Sequence, residues 1–279
     1  MRIYLVLGCL MLLALAGCKP TQIETGTVSV YDRIMATQTL RCGYIVYPPN
    51  LIKDATSGKF SGISYDIMTR LGHDLGLKIE WVEEVGTGSM IEGLNTGRYD
   101  LLCTSIWAEP TRGKVAQFSI PLYFTSINAY VRTDDVRFSE NSGTLNTDTM
   151  TIATIDGGLT AIIARDDYPQ AKTYSLPELT DFSQLLLALT TRKADVTFSE
   201  AAQVVAFEQS NPGTLKNLTP DRPARLFANV FTMKMDEARL AEMLDNALRS
   251  LHNEGFIEKT IASYEQQPNE YRRVAPAYK

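Results

Sequence analysis

The order strand, helix, strand, helix is written twice along this chain, and that repetition limits what it can fold into more than any other feature. Residues 40–45 read as an apolar strand, stopped by Pro48 and Pro49 because proline cannot donate to a sheet ladder. Ser64 stands where a helix N-cap is expected, and Ile67, Met68, Leu71 and Leu75 share one helical face up to Gly76. Glycine at that place suits the left-handed turn that ends a helix. Residues 77–81 alternate apolar and charged as a strand does, 89–96 read as a helix ended by Gly97, and 100–104 as the next strand. The second pass has strands at 151–155, 173–175 and 195–198, and helices at 159–165, 181–191 and 200–208. Such alternation builds a mostly parallel sheet covered by helices, and its duplication predicts two α/β lobes in place of one long sheet. A late helix capped by Asp236 carries Leu240, Leu244, Leu248 and Leu251 in one stripe, and a shorter helix follows Gly255. Residues 266–279, with Pro268 and Pro276, read as a weakly structured tail.

The start of the chain follows different rules. Arg2 precedes an apolar run over 3–16, the length of a signal-peptide core and short of the roughly 20 residues a membrane span needs. Leu15, Ala16 and Gly17 before Cys18 resemble the bacterial lipobox, whose cysteine receives acyl chains such as palmitate and becomes the new N-terminus. A lipoprotein signal peptide is therefore expected over 1–17 and a polar, Thr-rich lipidated tether over 18–36, with a short helical turn near Asp32. Loss of Arg2 with the leader leaves 26 basic against 32 acidic side chains, a net of −6. That balance and the absence of a dense basic run exclude a nucleic-acid footprint. After Cys18 no apolar stretch is long enough to span a membrane, so the lipid is the expected attachment to the cell envelope, facing the periplasm or outside the cytoplasmic membrane. Cys42 and Cys103 sit in strand-like apolar runs; two buried thiols are the plain reading, while export permits a disulfide if their Cα atoms lie within about 7 Å.

Several segments, in order, resemble family 3 of the bacterial solute-binding proteins, the polar amino-acid receptors of ABC importers. Leu40-Arg41-Cys42-Gly43-Tyr44 with Tyr47-Pro48-Pro49 looks like the family's opening strand and aromatic-Pro-Pro loop. Gly62-Ile63-Ser64-Tyr65-Asp66 opens the first helix, and Gly93-Leu94-Asn95-Thr96-Gly97-Arg98-Tyr99-Asp100 is close to the family's passage from helix to strand. Pro110-Thr111-Arg112 with Phe118-Ser119-Ile120-Pro121-Leu122-Tyr123 resembles its Arg motif and the run behind it. The resemblance implies a two-lobed periplasmic-binding-protein-like fold of type II, hinged by two crossover strands near Phe124 and Phe227. Lobe one would be 37–122 plus 229–265 and lobe two 127–224, with the ligand between them.

By that resemblance Arg112 would grip a ligand α-carboxylate, a task that suits a two-pronged guanidinium. Glu200 would take the α-ammonium from the other lobe. Tyr44 and Tyr47 match positions lining the lobe-one side, where they either pack on ligand or serve the core. Ser105 ends a strand and offers a hydroxyl; Gly157 and Gly158 permit close backbone approach or simply a tight turn, and the helix-start amides of Leu159 and Thr160 can donate to an anion. Trp107 and Glu109 depart from the family's usual Ser or Thr. Trp107 is either a stacking platform or a cap on the core, and Glu109 either pairs with Arg112 or caps the helix at Pro110. Thr87 replaces a residue usually aromatic.

The expected function is capture of an amino acid or similar small solute and its delivery to an ABC permease by a monomeric, lipid-anchored protein. A ligand-sensing subunit for a membrane receptor keeps the same pocket, and a dehydratase acting on prephenate-like acids uses the same fold. The two histidines, His73 and His252, belong to no Cys/His cluster, and no phosphate-binding Gly-rich loop or Gly-x-Ser-x-Gly elbow is present. No metal, no cofactor and no catalysis are expected. Asp134, Asp135, Asp166 and Asp167 read as solvated loop acids.

Overall fold

The computed structural model describes residues 29–274 apart from 87, 139–144, 178–179 and 267–269. The leader, Cys18, most of the tether and Thr87 thus lie outside the described residues. The chain opens with α1 (Val30–Thr37), β1 (Thr39–Tyr44), a small hairpin of β2 (Ile52–Lys53) and β3 (Phe60–Ser61), α2 (Ile63–Leu75) and β4 (Lys78–Glu84). It continues through α3 (Met90–Asn95), β5 (Leu101–Trp107), α4 (Pro110–Gly113) and β6 (Ala116–Phe118). The long strand β7 (Tyr123–Arg132) leads into β8 (Thr151–Ile155), α5 (Leu159–Asp167), β9 (Lys172–Leu176), α6 (Ser183–Thr190), β10 (Val196–Glu200), α7 (Ala201–Glu208) and β11 (Leu215–Asn217). A second long strand, β12 (Arg225–Lys234), returns to α8 (Ala238–Asn253), α9 (Phe256–Tyr264) and β13 (Tyr271–Arg272).

The main sheet runs β4-β1-β5-β12-β7-β10-β8-β9. β1 lies parallel to β4 and β5, and β8 parallel to β9 and β10, whereas β7 and β12 are antiparallel to their neighbours. One hydrophobic core gathers Leu40, Ile67, Leu71 and Leu101 with Leu240, Leu244, Leu248 and Ile261 from far along the chain. The other cores hold Ile127, Ile152, Ile163 and Phe198, and Leu185, Leu189 and Val204. The two halves of the repeat gather separate cores, but their strands join through β12 and β7 into one continuous sheet, where lobes in place of one long sheet were expected.

The repeat has a shared piece of chemistry. Asp100, just before β5, is buried and takes the Arg41 amide at 2.7 Å together with the guanidinium groups of Arg33 and Arg41. Asp195, just before β10, takes the Thr151 amide at 3.0 Å and the guanidinium groups of Arg132 and Arg137. In each lobe a carboxylate thus fastens the third parallel strand, β5 or β10, to the first, β1 or β8, through a charge-assisted bond. Asp135 joins the lobe-two network: it is buried against Arg132 and Arg137, not solvated, and Arg137 beside it holds its carboxyl down at about 2. The close packing of Tyr99 explains Gly93 in the motif before Asp100, since a Cβ there would stand 2.3 Å from the Tyr99 ring, whereas Gly97 is set by its left-handed φ of 71°.

Several boundaries differ from expectation. The segment assigned to a tether ends in a docked helix: α1 is capped by the Ser29 hydroxyl, buries Ile34 and binds α8 through Glu237 and Arg239. Ser64 is not an N-cap but a buried hydroxyl inside α2, because the helix starts one residue earlier, after Gly62 at φ 112°. Glu237, not Asp236, holds the N-cap place of α8, since Asp236 adopts a left-handed turn at φ 67°. Residues 271–272 leave the expected tail and pair with β7 as β13, drawn in by burial of Tyr271.

Cys42 and Cys103 form a disulfide between the neighbouring strands β1 and β5, with Cα atoms 5.4 Å apart. Of the two readings the sequence left open, the bridge is the one formed. The bridge closes a sequence separation of 61 residues, for which the chain-entropy account gives about 4 kcal/mol. Thiol titration of the denatured, unreduced protein should find neither cysteine free, and Cys103→Ser should lower the unfolding free energy by about that amount. A freely titrating pair would overturn the assignment.

Candidate functional site

Where the lobes face each other, a phenol from one meets a carboxylate from the other. Tyr47 lies in the loop after β1, held by paired backbone bonds to Leu51, and the Pro48-Pro49 peptide in that loop is cis. Its hydroxyl donates to Glu200 Oε1 at 3.1 Å and accepts from Gln203 Nε2 at 3.0 Å. Glu200 ends β10 and occupies the N-cap place of α7 without making a capping bond. Gln203, one helical turn on, shares its face, as a spacing of three residues requires.

Glu200 is buried, and no ion pair with it occurs among the described residues. Desolvation drives its carboxyl up to about 7, with Glu270 adding repulsion and the Tyr47 hydrogen bond opposing both. Burial and the Glu200 charge likewise push the Tyr47 phenol well above its usual range. Tyr123 and Tyr271 stand edge to face at 5.3 Å beside this group, and both phenols are held neutral by burial. The C-terminal strand therefore brings two residues, Glu270 and Tyr271, to the edge of the site.

Behind Tyr47 the lobe-one wall is a saturated polar network. Asn50 donates to the Ser105 carbonyl at 2.7 Å and accepts from the hydroxyls of Ser64 and Ser105. Ser64 also accepts the Ser105 amide, and the Ser105 hydroxyl meets the Tyr123 phenol at 3.3 Å. Ser105 thus supports the wall with its hydrogen-bonding capacity already engaged.

The other candidates sit as follows. Tyr44 does not join Tyr47; its ring packs edge-on against Phe60 and Trp81, and its hydroxyl accepts from Lys53. Trp107 stacks on Phe227 of β12 at 4.7 Å, and its carbonyl accepts from Arg112 Nη1 at 3.2 Å. Arg112, in α4, stands 3.6 Å from Glu109 and keeps about a quarter of its side chain exposed, at 26%. Glu109 holds the N-cap place of α4 without a capping bond, so its pairing with Arg112 is the interaction it makes. Gly157 turns the chain at φ 69°, Gly158 is the N-cap of α5, and Leu159 opens that helix. Thr160 is buried and takes the Ile155 amide on its hydroxyl, closing the turn.

Gln203, Asn50, Glu270 and Tyr271 were not read from the sequence. The i, i+3 relation of Glu200 and Gln203 was available as a signal. Asn50 and Glu270 reach the site through loop geometry that no periodicity records.

Over residues 40–267 the sequence matches the family described as bacterial extracellular solute-binding proteins, family 3. A probable amino-acid ABC transporter-binding protein of Haemophilus influenzae is 22% identical, with 82% of this chain and 86% of that one covered. A probable histidine-binding protein of Campylobacter jejuni is also 22% identical, over 91% of this chain and 94% of its own length. Among solved structures, an ancestral amino acid-binding protein described as a precursor of cyclohexadienyl dehydratase superposes with a TM-score of 0.65. It shares 22% identity and covers 85% of this chain and 99% of itself, a likeness of fold.

The raised carboxyl makes stability depend on pH. In the folded chain Glu200 holds its proton up to about 7 against 4.5 when unfolded, so its contribution is complete below 4.5 and lost as pH rises through about 7. At 1.36 kcal/mol per unit the loss is on the order of 3 kcal/mol. Denaturation of ligand-free protein should find Glu200→Gln more stable than the parent at pH 8 and no more stable at pH 4.5. Equal stability at both pH values would show that Glu200 is solvated.

Proposed function

The chain belongs to family 3 of the bacterial extracellular solute-binding proteins, and we propose that it captures an amino acid between its lobes and passes it to an ABC importer. The observation that carries this reading is the buried Glu200 carboxylate, met by Tyr47 from the opposite lobe and by no cation among the described residues. A buried carboxylate is stabilised only by a partner that supplies charge and donors together, and an α-ammonium supplies both. The descriptions of the two curated relatives, amino-acid and histidine binding, support the same ligand class.

Arg112 takes the ligand carboxylate in this proposal. At 3.6 Å from Glu109 it lies beyond ordinary hydrogen-bond reach of that acid, so its fork remains open to a better acceptor. With ammonium and carboxylate recognised from different lobes, a zwitterion is matched at both ends only when the lobes close on it, which is how ligand selects the closed form. Tyr47, which bonds across the cleft, is placed to hold that form. Gly158, Leu159 and Thr160 offer the start of α5 as a second donor set for the carboxylate.

The protein works as a carrier outside the cytoplasm and not as an enzyme. The Cys42–Cys103 bridge fits an oxidising compartment, and lipid at Cys18 is the proposed anchor. No helix among the described residues is long and apolar enough to cross a membrane. One observation favours a second reading: a carboxyl held near 7 in a cleft suits a general acid, as a prephenate dehydratase needs. Release of phenylpyruvate from prephenate by purified protein would establish that activity, and its absence leaves the carrier.

Binding tests the clamp directly. A thermal-shift screen should give hits among α-amino acids, because a ligand raises the melting temperature by mass action. Arg112→Ala should weaken them at least about tenfold and Glu200→Gln about a hundredfold. Since the ammonium needs ionised Glu200, affinity should climb between pH 5 and about 7 and level off above it. Hits confined to acids without an amine, or full binding by Glu200→Gln, would overturn the clamp. Separately, the mass of membrane-extracted protein should show diacylglyceryl on Cys18; an unmodified soluble N-terminus would exclude the anchor.

A further inference from the structure

A second cavity, of about 260 Å³, lies along α7, lined there by Ala201, Val204 and Glu208. Its walls come from α7, β7 and β11 of lobe two, and the C-terminal segment closes it through Glu270 and Arg272. We propose that this cavity is a separate binding site for a small organic cation bearing a primary ammonium or guanidinium group.

The lining has acceptors and lacks a cation to match them. Asn128, on β7, is 4% exposed, and its Oδ1 is buried with no hydrogen-bond partner among the described residues. Native structures rarely leave such an atom unsatisfied, so an orphaned acceptor on a cavity wall points to an absent donor. Glu270 is equally buried and takes the Gln266 amide on one oxygen at 2.8 Å, with no ion pair among the described residues. Glu208 takes the Leu215 amide at 3.3 Å, and Asp221 adds a third carboxylate at the rim. Arg272 is the one cation on the wall, and it is turned to neutral acceptors: Ser126 Oγ at 2.8 Å and the Pro220 carbonyl at 2.9 Å. Three carboxylates and a free amide oxygen thus line a space whose one guanidinium among the described residues is hydrogen-bonded to neutral groups. The complement is a positively charged donor.

The carboxylates line different walls instead of closing on one point. No group of three or more His, Cys, Asp or Glu side chains among the described residues is arranged to hold a metal ion. The space equals several waters at about 30 Å³ each, room for a short chain with a charged end. The lining leaves out Glu200 and Tyr47, while Glu270 stands between this cavity and the edge of the cleft.

Calorimetry and amide NMR on the full chain test this with putrescine, agmatine and the uncharged control 1,4-butanediol. In a Glu200→Gln background, which removes the cleft carboxylate, one of the two amines should still bind and shift the side-chain amide of Asn128. Glu270→Gln and Glu208→Gln keep their bonds to backbone amides and should each weaken binding at least about tenfold, with butanediol silent. Circular dichroism checks that each variant is folded, and either one suffices. The proposal is overturned if neither amine binds at millimolar concentration, if butanediol binds equally, or if both carboxamide variants bind as the parent does. Amine binding that disappears with Glu200→Gln alone places the amine in the cleft and overturns it too.

Discussion

Everything in this molecule hangs on two ten-residue strands that belong to both lobes at once. β7 and β12 pair along Tyr123 to Ile127 and Arg225 to Asn229. Beyond that shared stretch they part: β12 runs on beside β5, and β7 runs on beside β10. Each strand therefore has one half in each hydrophobic core. Strand pairing in a sheet obliges neighbours to keep register, so the lobes approach along a line set by ten backbone residues. The groups meeting across that line include Tyr47, Tyr123 and Glu200.

The electrostatics of the cleft follow from that enclosure. Glu200 is the last residue of a central strand, so it cannot retreat to solvent as a loop acid would. Its neighbours are a phenol that donates to it and an amide that donates to the phenol, and neither carries charge. Arg112 is in a different position, about a quarter exposed on a one-turn helix with Glu109 beside it. The two ends of the proposed clamp are thus unequal: one is fixed and buried, the other adjustable and partly solvated. A surface pair like Arg112 and Glu109 contributes little by itself, which is what lets a ligand carboxylate compete for it.

Much of this was legible in the sequence, and the legible part has a common cause. Strands and helices announced themselves wherever burial imposes a period, as with Leu240, Leu244 and Leu248 or Ile67 and Leu71. Gly97 and Gly255 marked ends because their backbone turns left-handed. What escaped was decided by tertiary partners. Ser64 looked like a cap and is a buried link to Asn50 and Ser105. Asp135 looked solvated and is enclosed by two arginines. Tyr44 and Tyr47 look alike in the sequence, yet the turn after β1 sends one into an aromatic cluster and the other to Glu200. The tail lacked any period, and only its contact with β7 gives Glu270 and Tyr271 a place.

The first core draws on both ends of the described chain, with Ile34 and Leu40 packed beside Leu248 and Ile261. Residues 127–227 supply the other lobe's cores as one uninterrupted stretch. A chain emerging N-terminus first can thus complete its second lobe while its first still lacks α8 and α9. Until those late helices arrive, the sides of α1 and α2 they pack against stay open. The half that carries the N-terminus can therefore complete its core only after the half inserted into it has been made.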